Sequence, residues 1–496
     1  MRFITLSSAL LTTLLSISSV QAYPAADTNE FRANKIRSAF KHAWQGYSTF
    51  AYGHDELLPV SGSFSDSRNG WGASIFDALD TMVIMGLDEE YQASLEFVAN
   101  VNWTSTQTPS KTFETCIRYL GGLLSAYDLR PDPMLLTKAL ELVDQVLLPA
   151  FTTENQVPAA FVNVPRKQPM SSKTIILAEF ALQLEFVRLS QVTNDPKWER
   201  LGNQVIEKIA QAKTPLAGLY SISWDVDTFQ PSNRSYITVS GGGDSFYEYL
   251  LKTHILMEGN EELQLQMWKQ SVDSMYHYLR SVSAEGSVFL AEALGGKKYL
   301  KSGELVCFMP GNLLLGARYL QEPAYETFAQ ELMDSCFKTW HNSPTGLSPE
   351  SWGWIDQASL MDDSINATYT ADQKRLYKDL AFIPTGKSYL LRPETLESLF
   401  YFYRLTGDAK YQDMAWEIFE SIERHCKTEH GYSSVEDITD NQGDITSNFQ
   451  ESFFFAETLK YLFLIFSDKS LISLDDYVFN TEAHPFRLST PIKVQV

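Results

Sequence analysis

The sequence predicts an all-α protein, a single domain of helical hairpins closed into an α/α barrel. Three observations lead there. Five helix-start signals recur: Leu87-Asp88-Glu89-Glu90-Tyr91, Arg130-Pro131-Asp132-Pro133-Met134, Thr193-Asn194-Asp195-Pro196-Lys197-Trp198, Gln321-Glu322-Pro323-Ala324-Tyr325 and Thr406-Gly407-Asp408-Ala409-Lys410-Tyr411. Each opens an amphipathic run with apolar residues three and four apart. Between them lie more uniformly apolar helices, so outer-type and inner-type helices alternate at a spacing of roughly 60 residues. No low-complexity linker or shift in composition divides the chain. A linear solenoid would carry polar capping repeats and a more regular period, which favours ring closure.

Taken in order, residues 1–22 have a basic start at Arg2, an apolar run and a small-residue end at Val20-Gln21-Ala22, the pattern of a cleaved secretory signal. The mature domain is then 23–496. The apolar run is short for a bilayer span, and no later stretch is longer. A secreted or secretory-pathway protein is expected, with no membrane segment. The sequons at Asn102, Asn233 and Asn366 agree with that route and mark expected glycosylation sites. A net charge of −21 and a pI near 4.8 argue against nucleic-acid or anionic-membrane partners and fit a soluble protein, expected to be monomeric. Four cysteines cannot scaffold so long a chain. Cys307 and Cys336 flank one predicted hairpin and are the favoured pair, leaving Cys116 and Cys426 as free thiols.

Inner helices are predicted over 71–85, 113–127, 171–191, 244–257, 307–319, 392–403 and 449–466. Several outer helices end in glycine-led turns, at Gly218, Gly286, Gly346 and Gly431. The inner helix after Arg392 is the most informative. Pro393 suits the first helical position and puts Glu394 and Glu397 in the first turn, on one side. The helix dipole and Arg392 favour the ionised form, so Glu394 is expected to be a carboxylate that serves as a base or holds a metal. Acids in a first turn are commonly plain capping, but the arrangement recurs. Glu114 opens a helix with Arg118 one turn later. Gly241-Gly242-Gly243 leads to Asp244 as an N-cap, with a capping box between Ser245 and Glu248. That glycine run reads equally as a ligand approaching the main chain or as a tight turn. Ser348-Pro349-Glu350 repeats the proline–glutamate pair, and Asp77 and Asp80 add two acids at helical spacing.

A mouth ringed by carboxylates, with Trp71, Trp352, Trp354 and Phe453 as platforms, suits sugar hydrolysis. One carboxyl protonates the leaving oxygen while another activates water. The eight histidines are scattered with no zinc spacing, and neither a serine-hydrolase elbow nor a phosphate loop is present. A hard, oxygen-seeking cation fits better. The tail 471–478 has strand character and leads to Asn480-Thr481-Glu482-Ala483-His484-Pro485, more specific than a frayed end requires.

The chain resembles the class I α-1,2-mannosidases, glycoside hydrolase family 47, over essentially all of its length after the signal. The resemblance rests on Asp77-Ala78-Leu79-Asp80-Thr81-Met82, Phe113-Glu114-Thr115 with Leu120-Gly121-Gly122, Asp244-Ser245-Phe246-Tyr247-Glu248-Tyr249, Leu391-Arg392-Pro393-Glu394-Thr395-Leu396-Glu397-Ser398 and Asn480-Thr481-Glu482-Ala483-His484-Pro485. It implies an (αα)7 barrel plugged by a small C-terminal β element. It also implies inverting, Ca2+-dependent removal of terminal α-1,2-mannose from high-mannose N-glycans on glycoproteins or free oligosaccharides. By motif match, Thr481 would bind calcium through its hydroxyl and backbone oxygen, and Glu394 would be the general base. Glu114 or Asp244 would supply the proton. Glu350, Glu397, Glu457 and Glu482, with Arg118 and Arg392, would surround metal and sugar, and Phe453 would stack under the ring. Cys307 and Cys336 match the family's disulfide. Two departures stand out: Glu304 replaces a frequent histidine, and Gly242 stands where members that trim a single mannose carry arginine. The second implies trimming of several mannoses. A lectin-like relative without turnover is the alternative; a binder would not need Glu114, Asp244, Glu394 and Thr481 together. Another α/α-barrel glycosidase, acting on plant polysaccharide, would not need calcium.

Overall fold

In a computed structural model, helices alternate between two concentric rings. It describes residues 28–106, 108–170, 174–214, 216–231, 236–362, 368–442 and 446–495. The predicted signal, Asn233 and Asn366 lie outside these residues. The outer helices are α1 (Asn29–Phe50), α3 (Asp88–Asn100), α5 (133–150), α7 (Lys197–Ala210), α9 (262–279), α11 (Pro323–His341) and α13 (Lys410–His425). The inner ones are α2 (Ala73–Met85), α4 (112–129), α6 (Gln183–Thr193), α8 (Asp244–Leu256), α10 (Met309–Leu320), α12 (Glu394–Thr406) and α14 (454–465). Their burial follows the pattern of their apolar residues. The outer α1 buries only a stripe through Ile36, Phe40, Ala43 and Tyr47, whereas α2 buries every residue but Val83.

Each inner helix but the last, α14, turns back to the next outer helix through a short connection. Four of these carry a left-handed residue that ends the inner helix: Gly86, Asn194, Gln321 and Gly407, at φ 69°, 53°, 59° and 73°. These are the start signals visible in the sequence. The return from outer to inner helix is longer and bears small antiparallel sheets, such as Lys301–Gly303 with Ser351–Gly353 and Ile383–Gly386. All inner-helix N-termini therefore open toward the same end. The ring closes where α14 meets α1 and α2: Phe455 lies 5.1 Å from Phe40, and Thr81 Oγ1 donates to the Phe455 carbonyl at 2.9 Å. Seven hairpins thus form an (αα)7 barrel.

The Cys307–Cys336 disulfide is formed, and Cys116 and Cys426 are free and buried. No helix among the described residues is long and apolar enough to cross a membrane. Asn102 is exposed, and its Oδ1 accepts from the Thr104 hydroxyl at 2.8 Å.

Several boundaries differ from expectation. Among the described residues of the predicted 171–191 helix, α-helix begins only at Gln183 and runs to Thr193; the β-branched Thr174–Ile176 pairs as a strand with Ser223–Asp225, so sheet pairing overrides the apolar run. The strand expected over 471–478 is confined to Tyr477–Phe479, because Ile472 adopts φ 52° and Asp475 Oδ1 turns to accept from Val494 and Gln495 N–H. Tyr477–Phe479 pairs with Pro485–Arg487, and this hairpin plugs the barrel. Its base meets the C-terminal end of α4, where Arg487 N donates to Asp128 at 2.9 Å. Its turn reaches deeper, where Asn480 Nδ2 donates to the Ile117 carbonyl at 3.0 Å. Gly121 permits that approach, since a Cβ there would lie 2.7 Å from Asn480 Nδ2.

Candidate active site

The inner-helix N-termini and the C-terminal turn enclose a cavity of ≈ 330 Å³. Eight carboxyl side chains line it, Glu114, Glu179, Asp244, Glu248, Glu394, Glu397, Glu457 and Glu482, against two guanidinium groups, Arg118 and Arg392. Phe453 and Thr481 complete the predicted set. Of the catalytic, metal and sugar-binding residues implied by the family resemblance, only Glu350 stands outside this lining; it lies behind Arg392, whose Nε donates to Glu350 Oε1 at 2.7 Å.

Local structure aims each group. Glu394 and Glu397 project from the first turn of α12, which begins at Glu394 with Pro393 one place earlier, at the cap. Arg118 and Glu457 sit on π-helical turns, Thr115–Leu120 and Phe454–Thr458, which add a residue to the turn and redirect what they carry. The guanidinium groups of Arg118 and Arg392 lie 5.8 and 5.9 Å from the centre of the Phe453 ring. Asp244 is the first residue of α8 rather than its cap, a place taken by Gly243. Its Oδ1 accepts from Ser245 N at 2.8 Å and Ser245 Oγ at 3.3 Å. The expected capping box is absent, because Glu248 binds the buried Lys252, which also reaches Glu397 at 3.3 Å. The tight-turn reading of the glycine run holds, and the run also borders the cavity. A Cβ at Gly243 would strike the Thr238 carbonyl at 2.2 Å, while Gly241 and Gly242, the latter at φ 94°, line the cavity.

Other expected members prove structural. Trp71, Trp352 and Trp354 are 2%, 0% and 1% exposed, so they are core residues and not sugar platforms. Asp77 and Asp80 lie beneath the cavity. Asp80 takes Lys460 at 2.9 Å and His484 Nδ1 at 2.8 Å, and Asp77 takes Arg118 at 3.3 Å, so the pair anchors the C-terminal turn. Sequence reading missed Lys252 and Arg68. The first had a signal, a lysine four residues after a glutamate in an otherwise apolar helix. Arg68 lies on a loop without one, and its Nη1 donates to Glu114 Oε2 at 2.9 Å.

These surroundings drive the carboxyls apart. Burial raises Glu114, but Arg118 and Arg68, each 2.9 Å from its Oε2, outweigh it and hold the group near pKa 2. Burial, with Glu248 nearby, pushes Asp244 up to about 7. Glu394, expected to be ionised, is instead pushed up to about 8: burial outweighs Arg392, and Glu304 and Glu350 add repulsion. Glu397 rises to about 8 by burial against Lys252, and burial lifts Glu457 and Glu482 well above the carboxylate range.

So many buried carboxyls call for a cation. No three His, Cys, Asp or Glu side chains among the described residues converge as a ready metal cage. The donors at hand are all oxygen, however, and Glu394 Oε2 is buried with no hydrogen-bond partner. Thr481, on the cavity wall among Glu394, Glu397, Glu457 and Glu482, supplies further oxygens of the kind calcium takes. The residues fit a calcium ion.

Residues 39–488 match the profile of glycosyl hydrolase family 47. The chain is 36% identical over 486 residues to the mannosyl-oligosaccharide alpha-1,2-mannosidase of Coccidioides posadasii, covering 93% of this chain and 91% of that one. It is 39% identical over 469 residues to the human endoplasmic reticulum mannosyl-oligosaccharide 1,2-alpha-mannosidase, covering 93% of this chain and 64% of the human one. Among solved structures, an alpha-1,2-mannosidase from Trichoderma reesei superposes with a TM-score of 0.88 at 36% identity, covering 93% of this chain and 99% of that one.

Proposed function

Since the chain belongs to glycosyl hydrolase family 47, and is thus a glycoside hydrolase, we propose that it removes terminal α-1,2-linked mannose from high-mannose N-glycans with inversion and with calcium, acting as a monomer in the secretory pathway or outside the cell. One observation carries the mechanism: three carboxyls of one cavity sit in environments that drive their pKa values to about 2, 7 and 8. Asp244, neutral below about 7, is the group able to give a proton to the leaving oxygen. Glu114, held ionised by two guanidinium groups, is a poor direct donor; it stabilises positive charge developing on the sugar and can pass a proton only through water.

Glu394 removes the proton from the water that attacks the anomeric carbon. Thr481 would hold calcium through its oxygens, with Glu394, Glu397, Glu457 and Glu482 around it. Calcium, when bound, supplies a fixed positive charge that favours the ionised form of these carboxyls and polarises water. Arg392, braced by Glu350, and Arg118 donate to sugar hydroxyls above the Phe453 ring. Gly242 leaves its part of the wall without a side chain, which supports successive trimming of several mannoses. The test is mannose release from an α-1,2-linked dimannoside by purified protein, with EDTA and then with added calcium. Loss on chelation and recovery on calcium addition is expected, with Asp244→Asn more damaging than Glu114→Gln below neutral pH, where Asp244 carries its proton. Release that is indifferent to EDTA would overturn the calcium assignment.

A further inference from the structure

Helix α12 presents Glu394 and Glu397 to the cavity, and its opposite face is clasped by the segment that leads into α10. Thr395 Oγ1 donates to Glu304 Oε1 at 2.5 Å. One turn later, Ser398 Oγ donates to the Cys307 carbonyl and accepts from Gly311 N at 2.9 Å. Glu304 does more than hold Thr395. Its Oε1 also accepts from Trp340 Nε1 at 3.2 Å, its Oε2 accepts from Ser348 Oγ at 2.7 Å, and its N–H donates to the Glu350 carbonyl at 3.1 Å. Trp340 belongs to α11, which the Cys307–Cys336 disulfide fastens to the same segment. One carboxyl, 1% exposed and outside the cavity lining, therefore joins α11, the α11–α12 connection and the first turn of α12. Three donors converge on it, and a carboxylate, with two acceptor oxygens and no hydrogens, satisfies all of them.

We propose that Glu304 is a positioning residue for the hydrolytic reaction: through Thr395 it fixes the rotation of the first turn of α12, and so the aim of Glu394. The proposal rests on Glu394 being the base. At the roughly 2.3 Å radius of a helix's Cα cylinder, a rotation of about 20° carries a Cα about 0.8 Å, and more at the end of a glutamate. Misplacement on the order of 1 Å costs about 100-fold in rate.

Thr395→Val removes the donor while keeping shape. Its kcat on the dimannoside is expected to fall about 10- to 100-fold with KM within about twofold, and Thr395→Ser, which keeps the hydroxyl, is expected to restore most of it. Glu304→Asp keeps the charge but withdraws the carboxyl by one methylene; a similar fall in kcat is expected, and this variant decides the matter if Thr395→Val does not fold. Wild-type kcat in the folded variant overturns the proposal, even if its melting temperature has dropped, because Glu304 would then serve only the core. Glu394→Gln run alongside separates the two assignments. If it retains kcat, the base assignment fails and the positioning role falls with it; if it is inactive while Thr395→Val is not impaired, the positioning role alone is lost.

Discussion

Replacing Gly121 with alanine tests whether the C-terminal turn sets the geometry of the site, without touching a residue that lines the cavity. The new methyl carbon would lie 2.7 Å from Asn480 Nδ2 and 2.9 Å from His484 Cδ2. Comfortable contact is roughly 3.5 Å or more, so the turn must retreat by about 0.8 Å, the difference between 2.7 and 3.5 Å. The Asn480 amide has no freedom to rotate away. Its nitrogen donates to Ile117 O and Glu185 Oε1 at 3.0 and 2.7 Å, and its oxygen accepts from Glu482 N and His484 N at 2.9 and 2.8 Å. The whole turn moves, carrying Thr481 with it. Overpacking of this kind costs about 1–3 kcal/mol, against about 0.5–1 kcal/mol gained by replacing a helical glycine, so a net loss is expected. The kinetic effect is larger, about 10- to 100-fold in kcat for a displacement near 1 Å. Dimannoside hydrolysis and calcium titration by calorimetry, beside a thermal melt, read all three quantities. A Gly121→Ala protein that melts higher and hydrolyses and binds calcium like the wild type would refute the reasoning, since the turn would then not be held where it matters.

Three further outcomes follow from the site. In calcium-stripped protein, Asp244 near 7 and Glu394 and Glu397 near 8 have folded pKa values raised above the roughly 4 of an unfolded chain. Their contribution to stability is complete below about pH 4 and is lost as pH rises through 7 to 8, so the melting temperature in EDTA should fall between pH 5 and 8 and calcium should flatten the fall. A pH-independent melt in EDTA would contradict this. Lys252→Met leaves Glu248 and Glu397 buried without their cation and should cost about 3–5 kcal/mol in denaturant unfolding, part of which Glu248→Gln should restore; an unchanged midpoint counts against it. Gly242→Arg puts a bulky cation on the cavity wall at φ 94°, and digestion of a high-mannose oligosaccharide should then stop earlier while the dimannoside is still cleaved. An unaltered product ladder would show that this wall does not select substrates.

How much of this was legible follows from the range of the interactions. The ring showed itself because its turns are local: Gly86, Asn194 and Gly407 end helices by their own backbone preference. That Glu394 and Glu397 share a side follows from helical spacing alone. Helices α1 and α9 escaped notice, although Thr28 caps α1 by accepting from Phe31 N at 3.2 Å. Thr174–Ile176 was taken for helix because its strand partner, Ser223–Asp225, is far along the chain. Charge state was the least legible. The helix dipole and Arg392 beside Glu394 are local, whereas the burial that outweighs them, and Glu304 and Glu350 that oppose them, belong to the assembled barrel. The same holds for the tryptophans, whose aromatic character was plain but whose depth was not.

Thr481 arrives only after every helix of the barrel has been made, and the contact that seats its turn, His484 with Asp80, joins positions 404 apart. With Thr481 holding calcium as proposed, competence for catalysis is the last property the chain acquires. A nascent chain that has built six hairpins has a ring still open, and a protein clipped before residue 481 has a barrel that lacks the floor of its cavity. Turnover then doubles as a certificate of complete assembly: a molecule that cleaves has closed its ring and threaded its tail, and no partly built copy can act on glycans it meets on the way.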